Sequence, residues 1–258
     1  MTKTYKIADV TPYINWVYYY FAWQVRQEEE QQRLKREALD FLQKMEGRYR
    51  THAVWHIVGA RGDGDDIVTD DGFRLPMLRQ QTGAPTLCLA DFVNPAGDKI
   101  GLFATSADHG LETDFNSDPY AKMMAQLLAD RLAEATAERM HEEVRKHYWG
   151  YVPDESLTIS EMQQERFQGI RPAVGYPSLP DASLNFLLDE LLDMKQIGIR
   201  LTESGAMRPH ASVSGLMISH PAARYFSVGK IGNDQLRDYA RRRGLPVEMV
   251  RKFLVSNL

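Results

Sequence analysis

Between Thr51 and Ala107 the apolar residues abandon helical spacing and gather into short extended runs separated by turn residues. Ala53–Val58 and Asp66–Thr69 flank a Gly-Asp-rich stretch, which reads as a hairpin with a long loop. Phe73–Leu78, Thr86–Ala90 and Lys99–Ala104 read as further strands, with Asn94-Pro-Ala-Gly97 as the turn between the last two. Two more strands are expected over 213–219 and 224–228. Helical patterns bracket this run instead of alternating with it. The order predicts an α+β fold with a largely antiparallel sheet and excludes a doubly wound one.

The first bracket is residues 1–50, expected to form an N-terminal helical segment. Thr11 suits an N-cap, Pro12 the first helical turn, and Leu34, Ala38, Phe41, Leu42 and Met45 trace one apolar face. The charge run Glu28–Arg36 between them reads as a solvated face. The second bracket opens with a long helix from about Asp118 to Tyr148. Its expected buried stripe is Met123, Met124, Leu127, Leu128, Leu132 and Ala135. A short helix with a Ser-x-x-Gln capping box follows over 160–166, then helices at Leu184–Leu192, Asn233–Arg243 and Val247–Leu254. No repeat or low-complexity linker divides the chain, so one domain over 1–258 is expected.

Bulk composition narrows the class. With 43% hydrophobic residues, 26% charged residues and a formal net charge of -4, the chain can build a core and carries no nucleic-acid footprint. The single cysteine, Cys88, permits neither an internal disulfide nor a cysteine-based metal site, which suits a reducing compartment. The most apolar segment, Ile14–Trp23, is about half the length of a membrane span. A cytoplasmic protein that contacts no membrane is expected. Neither a dinucleotide nor a P-loop glycine pattern occurs, nor His-Glu-x-x-His, nor a Gly-x-Ser-x-Gly elbow. No catalytic nucleophile and no metal site is therefore assigned.

Three features remain unexplained by core formation. In Gln168-Gly-Ile-Arg-Pro-Ala-Val-Gly-Tyr-Pro177, three prolines or glycines after Arg171 forbid helix and hold an extended loop. Gly175 there lets backbone approach a neighbour closely. An arginine on such a loop can grip a carboxylate through two parallel hydrogen bonds, whether that carboxylate belongs to a ligand or to a neighbouring acid. Asp130, Glu134, Glu138 and Glu142 recur every four residues and stack on one face of the long helix, with Arg131, Arg145 and Lys146 able to offset the ends. That face is either solvated or turns one carboxylate, Glu134 or Glu138, to a cationic ligand group. Tyr225 and Phe226, on an expected strand, point to opposite faces, and one could lie against a flat ligand.

Ten segments in order resemble the activation domain of cobalamin-dependent methionine synthase: Asp9-Val-Thr-Pro-Tyr, 89–93, 129–134, 141–145, 148–151, Gln168–Pro177, 201–204, 211–215, 219–221 and 234–242. They cover nearly the whole chain. The resemblance implies a C-shaped single domain with a twisted antiparallel sheet that binds S-adenosylmethionine. It also implies reductive methylation of cob(II)alamin to methylcobalamin, with an electron from flavodoxin or an equivalent reductase. By that resemblance Arg171 holds the ligand carboxylate, and Ala173, Gly175 and Tyr176 line the backbone side. Asp9 and Glu134 lie near the cationic end, and Tyr225 and Phe226 border the ligand. Departures are Arg208 and His210, where the family usually has Trp and Gly, the missing Phe-Pro-Ala element at Ile57–Ala60, and the aromatic stretch after Asp9. No Asp-x-His-x-x-Gly cobalamin segment occurs, so cobalamin is expected from a partner, a cobalamin-binding methionine synthase polypeptide. The alternative is a non-catalytic S-adenosylmethionine sensor or scaffold.

Overall fold

The structure is a computed structural model that describes residues 1–258. Strand β1 (Thr2–Lys6) and a four-residue helix α1 (Ile7–Val10) lead through a 3-10 turn at Thr11–Tyr13 into α2 (Trp16–Ala22) and α3 (Glu28–Met45). Strands β2 (Arg50–Asp63), β3 (Asp66–Thr69), β4 (Arg74–Pro76) and β5 (Asp98–Ala107) follow, then the short α4 (Gly110–Thr113). The long α5 (Pro119–Glu143) ends in a π-helical turn at Val144–Tyr148. Next come α6 (Ile159–Gln163), α7 (Leu184–Leu192), β6 (Arg200–Leu201), β7 (Met207–Arg208), β8 (Ser212–Met217), α8 (Asn233–Arg243) and α9 (Val247–Phe253).

All pairings in the main sheet are antiparallel, in the order β4-β3-β2-β5-β8, with β1 beside β2. Strand β2 serves three partners: β5 along Thr51–Ala60 on one edge, and β1 then β3 along the other. The fold is α+β, a single domain whose antiparallel sheet curls into a half-barrel between helices. No helix is long and apolar enough to cross a membrane.

Alternation along the strands feeds two cores. Ala53, Trp55, Phe103, Val213 and Met217 face α1–α3 and α5, whereas Val54, Leu102, Ala104, Leu216 and Ile218 face α7 and the Cys88–Val93 turn. Each fully buried aliphatic or phenyl side chain is worth roughly 1.5–3 kcal/mol, so the sheet is held from both sides. Helix α5 lies against the first face through Ala125, Ala129, Ala133 and Ala137, all fully buried. Thr105 Oγ1 donates to the Ala133 carbonyl at 3.0 Å and fixes the crossing. A third cluster seats α8 and α9 on Leu78 and Val228.

Several expectations change. The hairpin loop is short: β2 extends to Asp63, which pairs with Asp66 around Gly64-Asp65. Thr86–Ala90 is not a strand; Cys88 makes one bridge to Arg79, and Leu89–Phe92 forms a 3-10 turn. Residues 224–228 are extended without a ladder, because Ser178 Oγ and the Pro177 carbonyl take the Phe226 and Val228 amides. The cap of α6 is Thr158 with Glu161, two residues before the expected box. Met123 points outward, and strands β1, β6 and β7 lie where none was expected.

Candidate functional site

Helix α5 begins where Asp118 accepts from the Tyr120 and Ala121 amides, ahead of Pro119. With its alanine face on the sheet, the acidic row is carried round to the open side. Asp130, Glu134 and Glu138 reach the wall of a cavity of about 740 Å3. Glu142 does not: it accepts from Tyr13 Oη at 2.5 Å and pairs with Arg139 and Lys146. The volume suits a small organic ligand of nucleoside size.

The opposite wall is the Arg171 loop, which runs along the free edge of β8. Ile170 and Ile218 exchange two backbone hydrogen bonds of 2.9 Å, and the Leu216 amide donates to the Pro172 carbonyl and Val174 to Ser214. Gly215 makes this approach possible, since a Cβ there would sit 2.1 Å from the Pro172 oxygen. Gly175 plays another part than expected. Nothing lies within 4 Å of its Cβ direction, and its φ of +89° is what requires glycine. Its amide donates to the Leu179 carbonyl at 2.8 Å, closing the turn, and it does not line the cavity.

Arg171 Nη2 lies 2.9 Å from Glu138 Oε2, and its guanidinium stands 5.8 Å from the Phe103 ring centroid. Its backbone amide donates to Tyr225 Oη at 2.9 Å. Nη1 of Arg171 and Oε1 of Glu138 are buried and have no partner. Glu134 accepts from Tyr176 Oη at 2.7 Å; burial first, and Glu134 second, hold the Tyr176 phenol protonated. Burial likewise pushes up the Tyr225 phenol and the Asp130 carboxyl, which His210 contacts at 3.2 Å. Glu165, in a left-handed conformation (φ 57°), has its carboxyl raised by burial and then by Glu138.

Ala173, Tyr176, Tyr225, Phe226, Glu134 and Arg171 thus meet in one cavity. Asp9 is not among them. It is exposed and accepts from the Lys6 amide at 3.0 Å, a cap of α1. The wall that the N-terminal segment supplies is α2 instead. Asn15 caps it by accepting from the Val17 amide at 3.1 Å, and Tyr18, Tyr19 and Phe21 extend the wall. Phe21 is 82% exposed at the rim, and Tyr176 on the facing loop is 52% exposed. The sequence signal for this wall is the aromatic run within Ile14–Trp23, which is too short for a membrane span and departs from the family pattern. Glu165 and Phe167 were missed too, although they directly precede the loop.

Behind Phe167 a second arginine is turned inward. Arg145 donates from Nε to Glu155 at 3.0 Å and from Nη1 to His141 Nδ1 at 3.0 Å, and its guanidinium sits 4.3 Å from the Phe167 centroid. Arginine only donates, so His141 Nδ1 is unprotonated and the ring is neutral. Burial, then Arg145 and Arg171, push its pKa well below 6.5.

Comparison with known proteins agrees with this architecture. The sequence profile described as "Vitamin B12 dependent methionine synthase, activation domain" matches residues 6–244. A solved structure described as "Crystal Structure of the MetH Reactivation Domain bound to AdoHcy" is similar at a TM-score of 0.93 and 38% sequence identity. That match covers 100% of this chain and 90% of the other.

Proposed function

From its place in the vitamin B12-dependent methionine synthase activation-domain family, to which this chain belongs, we propose that it binds S-adenosylmethionine and presents the methyl group to cobalamin carried on another polypeptide. The observation that carries this reading is Arg171, paired with Glu138 in the wall of an aromatic-lined cavity. In this reading Arg171 takes the ligand carboxylate, and Ala173 and Tyr176 lie along the amino-acid chain. Glu134 favours the cationic end, Tyr225 and Phe226 border the ligand, and Asn15 faces it from α2 in the place expected of Asp9. Asp130, Glu134, Glu138 and Glu165 outnumber Arg131 and Arg171 on the wall, which suits a ligand bearing a sulfonium.

The chemistry asks little acid–base work of the protein. Transfer to a reduced cobalamin supplied by the partner would form a bond to the methyl carbon, break the carbon–sulfur bond and leave its electron pair on sulfur as a neutral thioether. No proton moves, so the wall has only to orient the sulfonium and exclude water. The electron that reduces cob(II)alamin comes from flavodoxin or an equivalent reductase. Exposed Tyr18 and Phe21 at the mouth offer the partner an apolar rim.

The test mixes the protein with a cob(II)alamin-loaded methionine synthase lacking its own activation domain, a reductase and S-adenosylmethionine. Methylcobalamin should form, followed by its absorbance spectrum. Ligand binding without methylcobalamin would contradict the transfer role and favour a sensor.

A further inference from the structure

Resting on the reading of this cavity as an S-adenosylmethionine site, we infer that His210 controls the charge that Asp130 presents to it. Preference for the sulfonium over the neutral thioether then falls as His210 takes up a proton. Asp130 stands in the cavity wall, and its one side-chain partner is His210, whose Nδ1 lies 3.2 Å from Oδ1. The imidazole is 87% exposed and exchanges protons freely with water, whereas the carboxylate is 29% exposed and its charge reaches the cavity. Burial raises the Asp130 carboxyl and His210, next in size, lowers it, as a charge-coupled pair requires. Backbone contacts hold the imidazole there. The Ala211 amide donates to Glu112 Oε1 at 2.8 Å, the Ala107 amide to the Ala211 carbonyl at 3.0 Å, and Ser212 Oγ to the Pro209 carbonyl at 2.8 Å.

The other partnered acids on the wall meet groups of fixed charge. Glu138 pairs with Arg171, and Glu134 accepts from the Tyr176 phenol, which stays protonated. Only Asp130 meets a side chain of the type that changes charge between about pH 5 and 8. A neutral imidazole leaves the full negative charge of Asp130 facing the cavity, and an imidazolium on its other side cancels it. The further charged groups around the pair are Arg131 on α5, Arg208 two residues before His210, and Glu112 on α4 with its partner His109. Of these only His109 is an imidazole, and it faces Glu112 and lies outside the cavity wall.

Isothermal titration with S-adenosylmethionine and S-adenosylhomocysteine isolates the charge at sulfur, because the two ligands differ only by the methyl group there. The quantity read is the ratio of their affinities at about pH 7.5 and about pH 5.5, on either side of an ordinary histidine pKa. His210→Gly supplies the reference, since titration of the ligands themselves is common to every variant. Relative to it, wild type should lose preference for S-adenosylmethionine by about twofold to fivefold toward acid, the scale of one unit charge several ångströms away along a partly aqueous path. Asp130→Asn should follow His210→Gly in its pH dependence, at a lower preference throughout. His109→Gln should follow wild type. Parallel behaviour of wild type and His210→Gly would overturn the inference, as would an Asp130→Asn protein that keeps the wild-type change, or loss of the change in His109→Gln alone. Folded wild type that binds neither ligand is a separate result, which removes the functional reading and this inference with it.

Discussion

Two buried arginines flank Phe167 and differ in one respect. Arg145, 0% exposed, spends its whole guanidinium on the chain: Glu155 takes Nε and Nη2, His141 takes Nη1, and Phe167 covers its face. Arg171, 12% exposed, has one side-chain partner, Glu138, leaves Nη1 buried without one, and lines the cavity. Both sit within a few turns of the same helix and strand edge, so burial alone does not separate structure from function. Completeness does. Between these two, Arg145, with a partner on each guanidinium nitrogen, holds the wall in place, and Arg171, with one nitrogen to spare, lines the cavity.

The contrast can be broken most sharply at Arg145. Arg145→Met leaves Glu155 without its partner and should destabilise the fold by about 3–5 kcal/mol, read by urea unfolding. Saturating S-adenosylmethionine should still raise the melting temperature of whatever folded protein remains. Arg171→Ala is the complementary change. It should weaken ligand binding by roughly 2–4 kcal/mol. Ligand at a hundred times the wild-type Kd, which stabilises wild type by about 2.7 kcal/mol, should then barely shift its melting temperature. If Arg145→Met abolished the ligand-induced shift and Arg171→Ala kept it, the two arginines would have been assigned the wrong way round.

The smallest effect concerns His141. Its folded pKa is depressed below 6.5 because burial and two guanidinium groups disfavour the imidazolium. The unfolded chain therefore binds the extra proton first. The stability that the neutral ring contributes is fully present above about pH 6.5 and is lost as pH falls below it, by at most about 1.4 kcal/mol per pH unit. His56, also lowered by burial, contributes with the same sign, so the comparison must be differential. Unfolding of wild type and His141→Gln between pH 7 and pH 5 should show the shallower slope in the variant. Parallel slopes would mean that His141 is not held neutral.

What could be read beforehand followed a physical rule. Pro172, Gly175 and Pro177 mark the Arg171 segment as a fixed loop because their backbone limits are local. The four-residue spacing likewise brought Asp130, Glu134 and Glu138 to one side of α5. The loop's seat was not legible, since Ala173 meets Gly215 across 42 residues through backbone atoms that carry no residue signature. Strand β1 escaped notice because Thr2–Lys6 buries only Tyr5. Residues 224–228 looked like a strand because Tyr and Phe favour extended backbone, yet Ser178 and Pro177 take the amides that a neighbouring strand would have used. The family resemblance pointed to Asp9, whereas Asn15, at the start of α2, is among the residues of this segment that reach the cavity.

The proposed function stands or falls on whether the cavity lined by Arg171 binds S-adenosylmethionine. Isothermal titration of the folded protein with that ligand tests it most directly. The account predicts saturable binding at one site with a Kd below about 1 mM, that is, more than about 4 kcal/mol of binding free energy. A folded sample that gives no heat of binding up to that concentration would contradict it.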